Sequence, residues 1–255
     1  MSLNICIATR FAIHQSADFC VTEFIRRGSI WVPRPIAAAP KITVLQYMGW
    51  RAVITYVGIA RLDGISTADW LARELTHPLG QRSVEEVVEA IRSKASLSLA
   101  RSVPPGFFAT NHSFTMGVLV DGAPPQIIMI SNYQSITKPP QQPTNKELFV
   151  STRYLGSREP TLVAISGIPH AVDRSDGALL ARIVRSTNKN LVVRQKLAEI
   201  NRRASGRSQS QGMISPSCAA TCDAAEIYNS STGKFRQTGK LNVARLFHTA
   251  TLLAD

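Results

Sequence analysis

The sequence predicts an α+β fold in which antiparallel strand pairs alternate with pairs of amphipathic helices. Three observations point there. The chain opens on a hairpin pattern, Ser2-Leu-Asn-Ile-Cys-Ile-Ala, a short reversal, then His14-Gln-Ser-Ala-Asp-Phe-Cys-Val-Thr. Val84, Val87, Val88, Ile91 and Ala95 recur at helical spacing, which lays one apolar stripe on a sheet. His112 to Val120 and Gln126 to Ser131 flank Asp121-Gly122, a hairpin signal. With 255 residues, 44% of them hydrophobic and 18% charged, the chain can bury one large core.

In the opening hairpin the reversal is expected near Phe11 and Ala12, which carries Asp18 back beside residue 2. With Met1 removed, Ser2 would hold a hydroxyl and an α-amine on one residue. Such an amine has a pKa of about 7.7 to 8.0, so near neutral pH it can take the hydroxyl's proton. A Ser after Met is also a common start to proteins that catalyse nothing. Arg26 to Pro40 is expected to be an irregular loop, because its prolines lack amide donors. Lys41 to Gln46 and Arg51 to Val57, separated by Met48-Gly49, predict a second antiparallel pair that ends at Gly58.

Ser66-Thr-Ala-Asp69 opens a helix through a capping pattern, with Trp70, Leu71 and Leu75 on one face and Pro78 beyond its end. Ser83-Val-Glu-Glu86 repeats the device for the second helix. After the 112–131 hairpin and a polar loop at 138–143, two extended segments are expected, Glu147 to Thr152 and Thr161 to Ser166. A third helix with Leu179, Leu180 and Ile183 begins at Ser175, and a fourth turns Val193, Leu197, Ile200 and Ala204 inward. Arg207 to Gly212 reads as a linker, and Met213 to Ala220 as one more strand.

A net charge of +12 and a pI near 10.1 raise nucleic acid or an acidic partner. The densest basic group, Arg182, Arg185, Lys189, Arg194, Lys196, Arg202, Arg203 and Arg207, falls in a helical segment without aromatic residues to stack on bases. It reads as a solvated helix face, so nucleic acid is not the expected partner. Cys6, Cys20, Cys218 and Cys222 are too few and too oddly placed for a disulfide framework or a zinc site. Cys6 and Cys20 read as small buried apolar groups. No metal and no cofactor is expected. Without a signal-peptide pattern or an apolar run of spanning length, the chain reads as cytoplasmic, with no membrane partner.

The order of four strands, two helices, four strands, two helices and one strand resembles the N-terminal nucleophile hydrolase fold in its proteasome β-subunit form, over residues 2 to 220. The resemblance implies a four-layer αββα sandwich of two antiparallel sheets between helix layers. Ser2 lies where such subunits carry their catalytic Thr, sixteen positions before Asp18, and Ala17-Asp18 resembles the family's Ala-Asp. Lys41-Ile42 resembles the lysine that opens the third strand. Gly58 resembles the glycine whose amide forms the oxyanion hole, and Ser166-Gly167 the Gly-Ser loop beside the nucleophile, in a register ambiguous by one residue. Lysine beside the amine would favour its unprotonated form, and Asp18 would hold that lysine charged and oriented.

Departures accompany the match. Phe11-Ala12 stands where the family has Asp-Gly, Cys20 where an arginine is common, and Met1 alone precedes Ser2 where active subunits are often made with a propeptide. The tail, Ala225 to Phe235 and Thr238 to Leu253 with Ala-Arg-x-x-His-Thr-Ala-Thr-Leu-Leu, resembles one unit of a kelch-type β-propeller. One unit cannot close a propeller, so residues 221–255 are expected to be a fragment and not an independent domain.

The resemblance implies a hydrolase of amide bonds, a peptidase of peptide or amide substrates. Its nucleophile would be Ser2 Oγ, its base the same residue's amine, and its supporting residues Asp18, Lys41, Gly58 and Ser166. Two other readings stand beside it: a non-catalytic structural or assembly protein of the same fold, and an interaction module carried by the tail. Self-association into a homo-oligomer through the helical layers is a further expectation.

Overall fold

A computed structural model describes residues 3–18, 20–28, 30–38, 41–58, 60–75, 82–102, 112–133, 147–159, 161–167, 176, 178–180, 182, 190–209 and 217–223. Two antiparallel sheets form the centre. The first has four strands in the order β12-β1-β2-β13: β1 (Leu3–Thr9), β2 (Ala12–Asp18), β12 (Thr161–Gly167) and β13 (Ser217–Asp223). The second has five in the order β11-β10-β9-β6-β5: β5 (Ile42–Tyr47), β6 (Trp50–Val57), β9 (Ser113–Val120), β10 (Gln126–Ser131) and β11 (Phe149–Tyr154). Helices α1 (Thr67–Leu75) and α2 (Val84–Ser102) cover the five-stranded sheet, and α3 (Asn190–Gln209) covers the other. The expected αββα sandwich is the architecture found.

Three cores separate the four layers, and the two-residue period of the strands assigns side chains to them. Leu3, Ile5 and Ile7 of β1 pack with Leu197, Ile200 and Ala204 of α3, whereas Cys6 and Ala8 face the second sheet. Across the gap, Val53 and Leu119 meet them, while Ile54, Tyr56, Phe114 and Met116 turn the other way against α1 and α2. The sheets approach closely at Gly117, where an added Cβ would collide with Ile13 Cγ2 and lie 2.9 Å from Cys6 Sγ. Burial pushes the Cys6 thiol far up, so it behaves as the small apolar group expected.

Both capping patterns form. Ser83 Oγ accepts from the Glu86 amide at 3.2 Å while Glu86 Oε2 accepts from the Ser83 amide at 2.7 Å, a reciprocal capping box at the start of α2. At α1 the Asp69 amide donates to Ser66 Oγ at 3.1 Å. Trp70, Leu71 and Leu75 are buried, as are Val84, Val87, Val88, Ile91 and Ala95.

Several expectations are corrected. Most of the described part of the Arg26–Pro40 stretch is strand and not loop: β3 (Cys20–Arg27) and β4 (Ile30–Ala38) form a two-stranded ribbon. Pro33 and Pro35 are two positions apart, so the nitrogens of both lie along the same edge of β4, and a ribbon has an open edge where no donor is needed. A second small ribbon, β7 (Arg61–Leu62) and β8 (Ile65–Ser66), turns at Asp63-Gly64 with φ of 50° and 79°. Helix α3 runs through Gln209, over the start of the expected linker. The last strand among the described residues spans 217–223, beyond residue 220, and pairs Asp223 with Ala12. Of the third helix, residues 176, 178–180 and 182 are described and are helical, with Leu180 buried. The extended segments expected at 147–152 and 161–166 form as β11, which starts only at Phe149 and runs to Tyr154, and as β12, but they part to different sheets: β11 pairs with β10, and β12 with β1. Residues 224–255, most of the 221–255 stretch expected to be a kelch-type fragment, and Pro78 lie outside the described residues.

The basic surface of α3 is partly neutralised in place. Lys196 pairs with Glu199 at 2.7 Å, and Arg203 reaches the buried Asp176 at 2.7 Å. Among the described residues no helix is long and apolar enough to cross a membrane.

Candidate active site

Strand register gathers the candidate residues on one rim of the sandwich. In the first sheet, the start of β1 lies beside the ends of β2 and β12, because Asn4 pairs with both Ala17 and Ser166 and Leu3 with Gly167. In the second, Ile42 at the start of β5 pairs with Thr55 near the end of β6, and Val57 pairs with Ser113 at the start of β9. Asp18, Lys41, Gly58 and Ser166 therefore all stand at that rim.

Asp18 and Lys41 bridge the two sheets there. Lys41 Nζ lies 3.0 Å from Asp18 Oδ2, and the two side chains are 4% and 0% exposed. The other carboxylate oxygen, Oδ1, accepts from the Leu3 amide at 3.0 Å. One carboxylate thus ties the lysine to the first strand, one residue from position 2. Ser2 itself lies outside the described residues. The Tyr56 phenol is pushed above its ordinary range by burial and then by the negative charges of Asp18 and Asp69, so it is neutral beside this pair.

Ser166 is buried and its Oγ is 3.0 Å from Thr115 Oγ1, which directs it between the sheets. In the same space Gln15 Nε2 donates to Thr55 Oγ1 at 2.6 Å and to the Thr115 carbonyl at 2.8 Å. Asn4, opposite Ser166 in the ladder, is buried, and among the described residues neither of its side-chain polar atoms has a hydrogen-bond partner. Gly58 follows the last residue of β6 at φ +78°, the left-handed region that favours glycine, and is exposed.

Three residues at this rim carried no distinguishing sequence pattern: Tyr56, His112 and Asn132. His112 immediately precedes β9, and its imidazole donates to the Gly58 carbonyl. Asn132 Oδ1 accepts from the His112 amide at 2.9 Å, and the Asn132 amide donates to the His112 carbonyl at 3.1 Å. Their relation to Gly58 depends on pairing between strands some 55 residues apart (Val57 with Ser113), which local pattern does not reveal. Among the described residues no group of three or more His, Cys, Asp or Glu could hold a metal ion.

Layer order and sheet pairing together define a proteasome-like αββα fold. Among solved structures, the chain is similar to Anbu (ancestral β-subunit) from Yersinia bercovieri, at 11% identity and a TM-score of 0.50 over 87% of this chain and 82% of that one. It is similar at 14% identity, with a TM-score of 0.50, to Anbu in the helical assembly of the Anbu complex from Pseudomonas aeruginosa, over 86% of this chain and 81% of that one. No family model matches the chain, so the kelch-type resemblance of the tail finds no support, and no curated protein matches it.

Proposed function

We propose that the chain is a proteasome-related amidohydrolase acting on peptides, with Ser2 Oγ as nucleophile and the α-amine of Ser2, freed by removal of Met1, as base. The observation that carries this is the buried Asp18–Lys41 pair, anchored through Oδ1 to the Leu3 amide. A charged lysine enclosed at the start of the first strand favours the neutral amine and stabilises alkoxide character on the adjacent hydroxyl. The Gly58 amide would receive the developing oxyanion, and Ser166 would support the nucleophile's strand from the neighbouring β12. The amine takes the hydroxyl proton as Oγ attacks the scissile carbonyl, then returns it to the leaving amine, and water releases the acyl group by the reverse exchange.

The catalytic unit would run from residue 2 to Asp223, the end of the strand that pairs with β2, with the remainder appended. The related fold in Pseudomonas aeruginosa occurs in a helical assembly, and we propose self-association for this chain as well. Light scattering across micromolar concentrations tests that: a monomeric mass throughout would remove it.

Intact-mass measurement and a fluorogenic peptide library test the activity. The expected results are loss of Met1, turnover by the parent, and none by Ser2→Ala with its fold intact. A Ser2→Ala chain as active as the parent refutes the nucleophile assignment.

A further inference from the structure

Among the described residues, one imidazole at the rim, that of His112, is aimed at the candidate oxyanion residue. Register places His112 directly opposite Gly58, one step past the Val57–Ser113 pair where the β6–β9 ladder stops. His112 is buried, so its ring is enclosed where Gly58 leaves the sheet. Its backbone amide and carbonyl are both held by Asn132, through the 2.9 Å bond to Oδ1 and the 3.1 Å bond from the Asn132 amide. The ring therefore projects from a clamped position onto a residue with little intrinsic restraint. Glycine populates many backbone conformations, and Gly58 occupies one of them, at φ +78°.

We propose that His112 is a positioning residue: by donating from its ring to the Gly58 carbonyl it fixes the backbone conformation that presents the Gly58 amide as oxyanion donor. This rests on the proposed role of Gly58. A bond to the carbonyl of a residue restrains its ψ, and with φ already in the left-handed well the orientation of the whole Gly58 unit follows. Oxyanion donors act through preorganisation, since a donor that must reorient during the reaction loses much of its effect. Asn132 then acts through His112, as the group that clamps the ring's own backbone.

Two variants test it, His112→Phe, which keeps a ring without the donor, and His112→Gln, whose amide N–H can donate again. The Gly58 amide shift in ¹H–¹⁵N spectra reads the conformation without reference to activity, and ¹⁵N spectra of the parent imidazole read which nitrogen carries the proton. The expected outcome is a displaced Gly58 signal in His112→Phe, with kcat on a fluorogenic peptide reduced about tenfold to a hundredfold and KM nearly unchanged; removal of a whole oxyanion donor costs about a hundredfold to a thousandfold. His112→Gln should restore part of both. An unmoved Gly58 signal overturns the inference whether or not the chain is an enzyme. A moved signal with unchanged kcat overturns the positioning role. A parent without amidase activity refutes the reading of Gly58 and the positioning role with it, while the Gly58 shift still reports whether His112 holds that residue. If His112→Phe does not fold, the parent imidazole spectrum and His112→Gln decide: a ring without a proton on the nitrogen facing Gly58 overturns the proposal.

Discussion

Replacing Lys41 by Met removes the ammonium, keeps most of the apolar stem, and leaves the wholly buried Asp18 carboxylate without the cation 3.0 Å away. At that separation the attraction is about 5 kcal/mol for an effective dielectric near 20. Desolvation of both ions offsets much of it, so the pair contributes little net stability compared with an apolar replacement of equal volume. Loss of one partner is different, because the survivor stays buried without the opposite charge, at a cost of about 3 to 5 kcal/mol. Lys41→Met and Asp18→Leu should each lower the unfolding free energy by that amount, a large part of the roughly 5 to 15 kcal/mol of a folded domain. The double variant should recover most of the loss, with the difference read as a coupling energy from the cycle. Urea unfolding at pH 7 supplies all four values, provided the slopes agree. Single variants within about 0.5 kcal/mol of the parent would refute the reasoning, since a pair that costs nothing to break is solvated. A double variant that is stable and still cleaves peptides at the parent rate would remove the pair from the proposed catalytic machinery.

Other substitutions test the fold around the site. Gly117→Ala should destabilise by about 1 to 3 kcal/mol, because the new methyl meets Ile13 and Cys6 across the sheets; a fall in the urea midpoint checks it. Asn4→Leu, which keeps the branched side-chain shape, should raise stability by about 1 to 3 kcal/mol by removing buried amide atoms that make no hydrogen bond among the described residues, and a lowered midpoint would contradict this. Ser83→Ala should cost about 1 kcal/mol through loss of the capping bond to Glu86, seen as an earlier thermal transition. Burial lowers the His112 pKa from 6.5 to about 4, so the unfolded chain binds the extra proton first. Its contribution is complete above pH 6.5 and is lost as pH falls toward 4, by roughly 3 kcal/mol, and His112→Gln should flatten that part of the stability profile.

What was legible in the sequence is what local chemistry decides. Ser83 and Glu86 announce a helix start because both halves of the box lie within four residues, and the 84–95 stripe announces a buried face because one helix carries it whole. The β3–β4 ribbon was missed because prolines argue against a central strand, and nothing local says that Pro33 and Pro35 face an open edge. The β7–β8 ribbon was missed because two residues on each side of Asp63-Gly64 carry no alternation to read. At the site, Asp18 and Lys41 were placed together only through a resemblance, and their 3.0 Å contact joins the end of β2 to the start of β5, in the other sheet. His112 and Asn132 needed the β6–β9 and β9–β10 registers before they meant anything.

The departures from the family pattern do not all bear on the site. The missing Asp-Gly turn lies at the far end of β1 and β2, whose seven residues put it about 20 Å from Leu3 and Asp18. There Thr9 supplies what a glycine would otherwise permit: its Oγ1 accepts from the Phe11 and Ala12 amides at 3.2 and 2.9 Å and donates to the Ala12 carbonyl at 3.1 Å. The reversal is closed by a side chain, Phe11 stands 64% exposed on it, and the β1–β2 register that brings Asn4 to Ala17 is intact. Cys20 is another matter, since it begins β3 two residues after Asp18, on the site's own rim. A Thr9→Val substitution separates the two ends. It removes the hydroxyl that closes the turn, so it should lower stability by about 1 to 2 kcal/mol while leaving kcat per folded molecule unchanged. Loss of kcat in a chain that remains folded would show that the turn sets the β1–β2 register, and that the Leu3–Asp18 contact depends on it.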